Sequence, residues 1–343
     1  MNSKIYLGWD IGGANTKISV LDTNLNVIDV HFKNLAIWNN FSELNNYFKS
    51  ISGLYNSYNI ENFITITAES CDNFKSRDEG ILLILNNCNN YLKGNKYYYS
   101  NSNLYLKYSD AIKSPKSLYS TNWILTANFL KSLDKINLMI DIGSTTTDFI
   151  YKNINIEDNN SDYKRLSNNT LLYTGVVRTP LPMIFNDVIF SSKKISLINE
   201  LFSTTGDIFN ITKDIDFSSL DYTGADNKDF SLNNSLARLS RSIGLDYNKD
   251  NYKDLVALSK FIKKEIINII FRNINLLFNN NLNNICLSSI GEGAFLIKEL
   301  AKTHKIKYIS IEDEKIFSII NLDRAIVYKN LTSALVVTNF FKK

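Results

Sequence analysis

One short pattern occurs twice in this 343-residue chain, and no other feature limits its fold as sharply. Residues 4–22 read as a strand, a turn and a returning strand, with Asp10-Ile11-Gly12-Gly13-Ala14-Asn15-Thr16-Lys17 at the turn. Residues 137–151 repeat the design, with Asp141-Ile142-Gly143-Ser144-Thr145-Thr146-Thr147-Asp148 at theirs. Each copy has an apolar strand ending in Asp-Ile-Gly, a run of small or hydroxyl residues, and a second strand. The copies lie about one compact domain apart, which points to an internal duplication.

The segments downstream of the two copies are also alike. After the first come an expected strand from Val27 to Phe32, a helix from about Phe41 to Tyr58 and a buried strand from Phe63 to Thr67. A helix from about Arg77 to Leu92, a strand from Tyr97 to Tyr99 and a helix from about Leu118 to Asp134 complete the first half. After the second come a strand from Leu171 to Val177, a helix-rich insertion and a long helix from about Tyr252 to Phe278. A strand from Asn284 to Ile290, a helix from Gly293 to Thr303, a strand from Lys307 to Ile311 and a terminal helix close the second half. Strand-strand-strand-helix-strand-helix-strand, twice, predicts an α/β protein: a duplicated ribonuclease H-like fold with two lobes and a central cleft. The expected lobes are residues 1–133 and 134–343, the second with a helical insertion over about 182–250. The polar stretch 152–169 is expected to be an exposed loop.

The turns carry the chemistry. Gly12, Gly13 and Gly143 have no Cβ, so the backbone can turn its N–H groups toward phosphate oxygens. Thr16, Ser144, Thr145 and Thr146 add hydroxyl donors, and Lys17 adds a cation. Asp10 and Asp141, one at each strand end, are placed to hold Mg²⁺ directly or through water. A single Asp-x-Gly turn is weak evidence; two matched copies predict one metal–diphosphate site. Gly291-Glu292-Gly293, between a strand and a helix, offers a third close approach for a ligand, or simply a tight connection with Glu292 near a helix N-terminus.

Other runs are less specific. Glu69 and Asp72 follow a buried strand and are candidate bases or metal ligands, while Ser76 has the position of a helix N-cap. Asp148, in the second turn's return strand, is a third candidate base. Cys71 has no histidine near it in sequence and reads as packed rather than nucleophilic. Arg178, beside Thr179-Pro180, suits either an anion contact or a solvated strand end. Arg238 and Arg241 share a helix face and suit a substrate carboxylate or a surface ion pair.

Composition removes several classes. A net charge of +4 without a basic run argues against nucleic acid as partner. Three cysteines without a C-x-x-C pair, and only two histidines, argue against zinc. The apolar stretches are too short to span a bilayer, and a strand-like start within four residues gives no secretory leader. A cytoplasmic protein acting on small molecules is expected, with a homo-oligomer left open.

The run from Trp9 to Lys17 resembles the opening of hydantoinase/oxoprolinase-related proteins of the actin-like superfamily, linked to tetrahydromethanopterin-dependent one-carbon transfer. The resemblance continues through the Glu69–Asp72 segment, Thr121-Asn122-Trp123 with Thr126-Ala127, Asp141 to Asp148, and Tyr173 to Leu181. Thr204-Thr205-Gly206-Asp207, Ala225-Asp226, the Arg238/Arg241 helix and Gly291-Glu292-Gly293 extend it over essentially the whole chain. Asn15 departs from the family, where a histidine is common, and so does Ser70-Cys71-Asp72-Asn73. The resemblance implies a transferase of methanofuran biosynthesis that couples an aminomethyl-furan-methyl diphosphate to the phenol of γ-glutamyltyramine with release of pyrophosphate. It implies Mg²⁺ and no requirement for ATP. Two other readings stay open: an ATP-dependent kinase or amide/lactam hydrolase, and a non-catalytic module that ATP switches between partner-binding states.

Overall fold

The computed structural model describes residues 3–218 and 220–342. Contacts divide the chain into two compact units. One comprises Met1–Met139, Ile150–Arg165 and Ile309–Lys343; the other comprises Ile140–Phe149 and Leu166–Tyr308. The expected cut at 133/134 follows the sequence alone, whereas by packing the chain returns to its first unit twice.

The first sheet contains β1 (Lys4–Gly12), β2 (Asn15–Leu21), β3 (Val27–Asn34), β4 (Asn59–Thr67), β5 (Asn95–Tyr99) and β6 (Tyr105–Leu106). The second contains β7 (Leu138–Ile142), β8 (Thr147–Tyr151), β9 (Leu171–Leu172), and, beyond a separate hairpin of β10 (Asp187–Phe190) and β11 (Lys193–Ser196), β12 (Cys286–Ile290) and β13 (Lys307–Tyr308). Their orders are β3-β2-β1-β4-β5-β6 and β13-β12-β7-β8-β9. Read from the Asp-Ile-Gly strand outward, both have the second and third strands on one side and the fourth and fifth on the other. That is the duplicated ribonuclease H-like order that the sequence predicts.

β1 is buried along nearly its whole length, as a central strand covered on both faces should be. Ile5, Leu7, Trp9 and Ile11 join one apolar core with Leu44, Phe48 and Ile51 of the helix Ser42–Leu54 and with Ile81, Ile84 and Leu85 of the helix Arg77–Tyr91. Trp9 meets Phe48 edge-on at 5.3 Å and donates its indole N–H to Asn62 Oδ1 at 2.9 Å, so its one polar atom is satisfied. The alternate residues face the terminal helix Leu331–Phe341, whose Phe341 ring lies 4.8 Å from that of Tyr6. This corrects the expectation that the terminal helix completes the second half.

Gly8, in mid-strand where glycine is ordinarily unfavourable, is explained by that helix. A Cβ on Gly8 would lie 1.8 Å from the Ser333 carbonyl oxygen, and Ser333 Oγ is 2.6 Å from Ser19 Oγ, on Gly8's register partner. Gly8→Ala must therefore push the helix off its sheet. The expected cost is about 3 kcal/mol, at the upper end of overpacking penalties. Thermal unfolding by circular dichroism would show it, and an unchanged midpoint would contradict this seating of the helix.

Two further expectations are revised. The stretch 152–169 is not a plain exposed loop. It holds a 3₁₀ turn, Glu157–Asn159, and a short helix, Asp162–Ser167, and its Arg165 is buried with the guanidinium 4.6 Å over the Trp123 ring. The insertion over 182–250 contains the β10–β11 hairpin besides its helices Thr205–Ile211 and Leu232–Ser242. Its two-residue turn, Ser191-Ser192, has both φ angles positive (46° and 64°) without the Asn-Gly signature that usually marks such a hairpin. No helix among the described residues is long and apolar enough to cross a membrane.

Candidate active site

In the first unit, Asp10 lies near the end of β1 and is only 6% exposed. Its register partner on β2 is Lys17, so the two side chains stand on the same face of the sheet. Gly12 and Gly13 are not in the left-handed region; close contact is what requires them. A Cβ on Gly12 would lie 2.9 Å from the Asn15 carbonyl oxygen, and one on Gly13 would lie 2.8 Å from Cys71 Sγ. The turn carbonyls of Gly13 and Ala14 accept from the amides of Ile37 and Leu35 at 3.1 and 3.0 Å, fixing the loop from the far side. Thr16 is buried, with no partner for its hydroxyl among the described residues.

Glu69 follows β4 and is 1% exposed. Its Oε1 accepts from Arg77 Nη2 and from Ser120 Oγ, both at 2.7 Å, while Oε2 is buried without a hydrogen-bond partner among the described residues. Burial holds the carboxyl above the ordinary glutamate range, against the opposing pull of the Arg77 guanidinium. Arg77 in turn stacks 4.4 Å over the ring of Tyr119. Ser76 does cap the following helix, its Oγ accepting from the Glu79 amide at 3.2 Å. Asp72 is exposed. The sequence singles out Glu69 but not its partners: Ser120, fifty-one residues away, carries no local signal.

In the second unit three segments meet at the end of β7. The Gly143 amide donates to the Thr146 carbonyl at 2.9 Å, closing the turn. The amides of Val176, Val177 and Arg178 donate to the carbonyls of Gly143 and Ser144 at 2.9–3.1 Å. Gly175 lies so close that a Cβ there would be 2.4 Å from the Thr145 amide nitrogen. This contact ends the expected third strand early: β9 stops at Leu172, and residues 174–178 wrap the turn instead. Gly291 (φ +83°) completes the cluster, and a Cβ on it would lie 2.5 Å from Asp141 Oδ1. The Gly293 amide donates to the Ile142 carbonyl at 2.9 Å.

Asp141, Gly143, Ser144, Thr145, Thr146, Arg178, Gly291 and Gly293 are thus neighbours, as their motifs suggest. Arg178 is exposed, and Asp148, at the position in this copy that Lys17 holds in the first, is 9% exposed on β8. Arg238 is withdrawn from any ligand. It is fully buried, bound to Asp207 and Asp226 at 2.8 and 2.7 Å.

A (4-{4-[2-(gamma-L-glutamylamino)ethyl]phenoxymethyl}furan-2-yl)methanamine synthase from Methanocaldococcus jannaschii is 30% identical over 297 residues, covering 84% of this chain and 86% of that protein. The chain belongs to this synthase family. A member from Methanococcus vannielii is 31% identical over 189 residues, 53% of this chain and 84% of that protein. Among solved structures, the ethanolamine utilization protein EutJ from Carboxydothermus hydrogenoformans aligns over 98% of this chain and 91% of its own at 9% identity, with a TM-score of 0.44. No family model matches the chain.

For a synthase-family member the metal question is whether these residues suit an ion carried with a phosphate. Mg²⁺ commonly takes one or two protein carboxylates and fills its shell with waters and phosphate oxygens. Asp141, beside a glycine that sets no side chain against its Oδ1 and next to three hydroxyl side chains, fits that donor set. Among the described residues no three His, Cys, Asp or Glu side chains form a metal-binding group.

Proposed function

We propose that this protein joins an aminomethyl-furan-methyl diphosphate to the phenol oxygen of γ-glutamyltyramine, releasing pyrophosphate, as a step of methanofuran biosynthesis. Membership of the synthase family, at 30% identity across 86% of the Methanocaldococcus jannaschii member, carries this reading. The second-unit cluster gives it a chemical basis. Glycine backbone and the hydroxyls of Ser144, Thr145 and Thr146 are suited to phosphate oxygens, with Gly12, Gly13, Thr16 and Lys17 as the equivalents in the first turn.

In the reaction the bond from the furan methylene carbon to the diphosphate oxygen breaks, and the phenol oxygen forms its bond to that carbon. The electron pair leaves with pyrophosphate, and the phenol proton passes to a base. Donors aimed at the departing oxygens lower the barrier because charge develops there. Mg²⁺, when bound with the diphosphate, would neutralise that charge, with Asp141 as its proposed ligand in the second unit; Asp10 is the corresponding strand-end carboxylate of the first turn. A tyrosine-like phenol has an ordinary pKa of about 10, so its deprotonation gains from a base of raised pKa. Glu69 is the most buried of the candidates Glu69, Asp72 and Asp148, and burial raises its pKa.

The test is a reconstitution without nucleotide. The purified protein with Mg²⁺, the diphosphate donor and γ-glutamyltyramine is expected to yield the ether by mass spectrometry, with one pyrophosphate released per product. The corresponding monophosphate should react far more slowly, because it is a poorer leaving group. Strict dependence on ATP, with ADP formed in proportion to product, would move the protein to the kinase or hydrolase class.

A further inference from the structure

Glu292 stands between the two glycines of the second unit's third segment, and neither the turn geometry nor the succeeding helix uses it. Its Oε1 accepts from the Tyr222 hydroxyl at 3.0 Å, a contact reaching seventy residues back into the insertion. Its Oε2 is buried and has no hydrogen-bond partner among the described residues. A carboxylate ahead of a helix N-terminus would ordinarily take that helix's first amides, but the helix Ala294–His304 gives none to Glu292. One oxygen is therefore oriented by a tyrosine and the other left for a partner. The neighbouring residue, Gly291, packs against Asp141 at the end of β7, which places Glu292 beside the phosphate-binding cluster.

A half-buried carboxylate with an unmet oxygen favours a cation that can donate a hydrogen bond. The product that the relatives are named for is a furan-2-yl methanamine, whose primary amine is an ammonium near neutral pH. On the diphosphate donor, that ammonium sits across one five-membered ring from the reacting carbon. We propose that Glu292, positioned by Tyr222, binds the aminomethyl ammonium of the furan donor and so selects an amine-bearing furan over a neutral one. This rests on the reading of the protein as the synthase, and the same chemistry is offered by the α-ammonium of the γ-glutamyl acceptor, which the test separates.

Coupling is measured with three substrate pairs: both natural substrates, a donor with methyl in place of aminomethyl, and an acceptor with glutaryl in place of γ-glutamyl. For the unaltered protein the methyl donor should lower kcat/KM on the order of 100-fold, the range for a lost hydrogen bond to a charged group. Glu292→Gln should abolish that preference, accepting the two donors nearly equally, and Tyr222→Phe should weaken it. Calorimetry with inorganic pyrophosphate should give the same affinity for Glu292→Gln as for the unaltered protein, showing an intact phosphate site. Calorimetry with furan-2-ylmethanamine, in the presence of pyrophosphate, should show binding that Glu292→Gln loses. A variant that still prefers the amine-bearing donor overturns the assignment. So does loss of preference confined to the acceptor's amino group. If no ether forms at all, the synthase reading fails, and the furan-2-ylmethanamine titration still decides the role of Glu292.

Discussion

Gly291→Ala is expected to lower diphosphate turnover by about 100-fold, the scale on which misplacing a reacting group by an ångström acts. The residue's φ of +83° is left-handed, which costs an alanine roughly 1–2 kcal/mol before any contact is counted. The added methyl would also sit 2.5 Å from both Asp141 Oδ1 and the Ile142 carbonyl oxygen. Neither can yield freely: Ile142 belongs to β7, and its carbonyl already accepts from the Gly293 amide. The loop must lift, and Asp141 or the turn at Gly143 moves with it. Gly53 supplies the control, since nothing lies within 4 Å of its Cβ position inside the helix Ser42–Leu54. Gly53→Ala should stabilise by about 0.5–1 kcal/mol through helix propensity and leave turnover unchanged. Steady-state kinetics on both variants decides the matter. Full activity in Gly291→Ala would mean that the loop is not seated on Asp141 during the reaction.

The contrast between those two glycines also shows what the sequence could and could not convey. Strand order was legible because Asp-Ile-Gly with flanking apolar runs is a local signal, and its recurrence fixes the architecture twice. The meeting of three glycine-bearing segments in the second unit was legible for the same reason: each carries its own glycines. What escaped was everything set by one distant contact. Residues 174–178 have the composition of a strand, yet Gly175 is drawn onto the Thr145 amide and the strand ends at Leu172. The terminal helix gives no hint of its destination until Gly8 is seen beneath Ser333. Ser120 on Glu69, and Tyr222 on Glu292, join residues too far apart in sequence for any spacing rule. On sequence Arg238 suits either a substrate carboxylate or a surface ion pair; it forms an ion pair, but a buried one, because its partners Asp207 and Asp226 come from other segments of the fold.

That arginine leads to the largest expected effect on stability. Arg238 and Asp207 are both fully buried, with Nε and Nη2 of Arg238 each 2.8 Å from Asp207 Oδ1. Nη1 binds Asp226 Oδ1 at 2.7 Å, the Asp229 carbonyl accepts at 3.2–3.3 Å, and the guanidinium lies 5.0 Å over the Phe230 ring. Asp207 also accepts the Thr204 amide at 3.0 Å, so one carboxylate caps its own helix and holds the arginine of the next. Gly224 has no room for a side chain: its Cβ would be 2.3 Å from Arg238 Cζ. Removing one member strands the other. Asp207→Ala leaves a buried cation with only the partly exposed Asp226 as counter-ion, and a loss of about 3–5 kcal/mol is expected. Arg238→Met leaves a buried carboxyl, which burial already pushes up and which can take a proton, so its loss should be smaller. The double variant should be well more stable than the sum of the two losses implies, because the stranded charge is then gone. Denaturant unfolding of the three proteins measures this directly. Singles that unfold like the parent, together with a raised KM for γ-glutamyltyramine, would instead make Arg238 a substrate-binding residue.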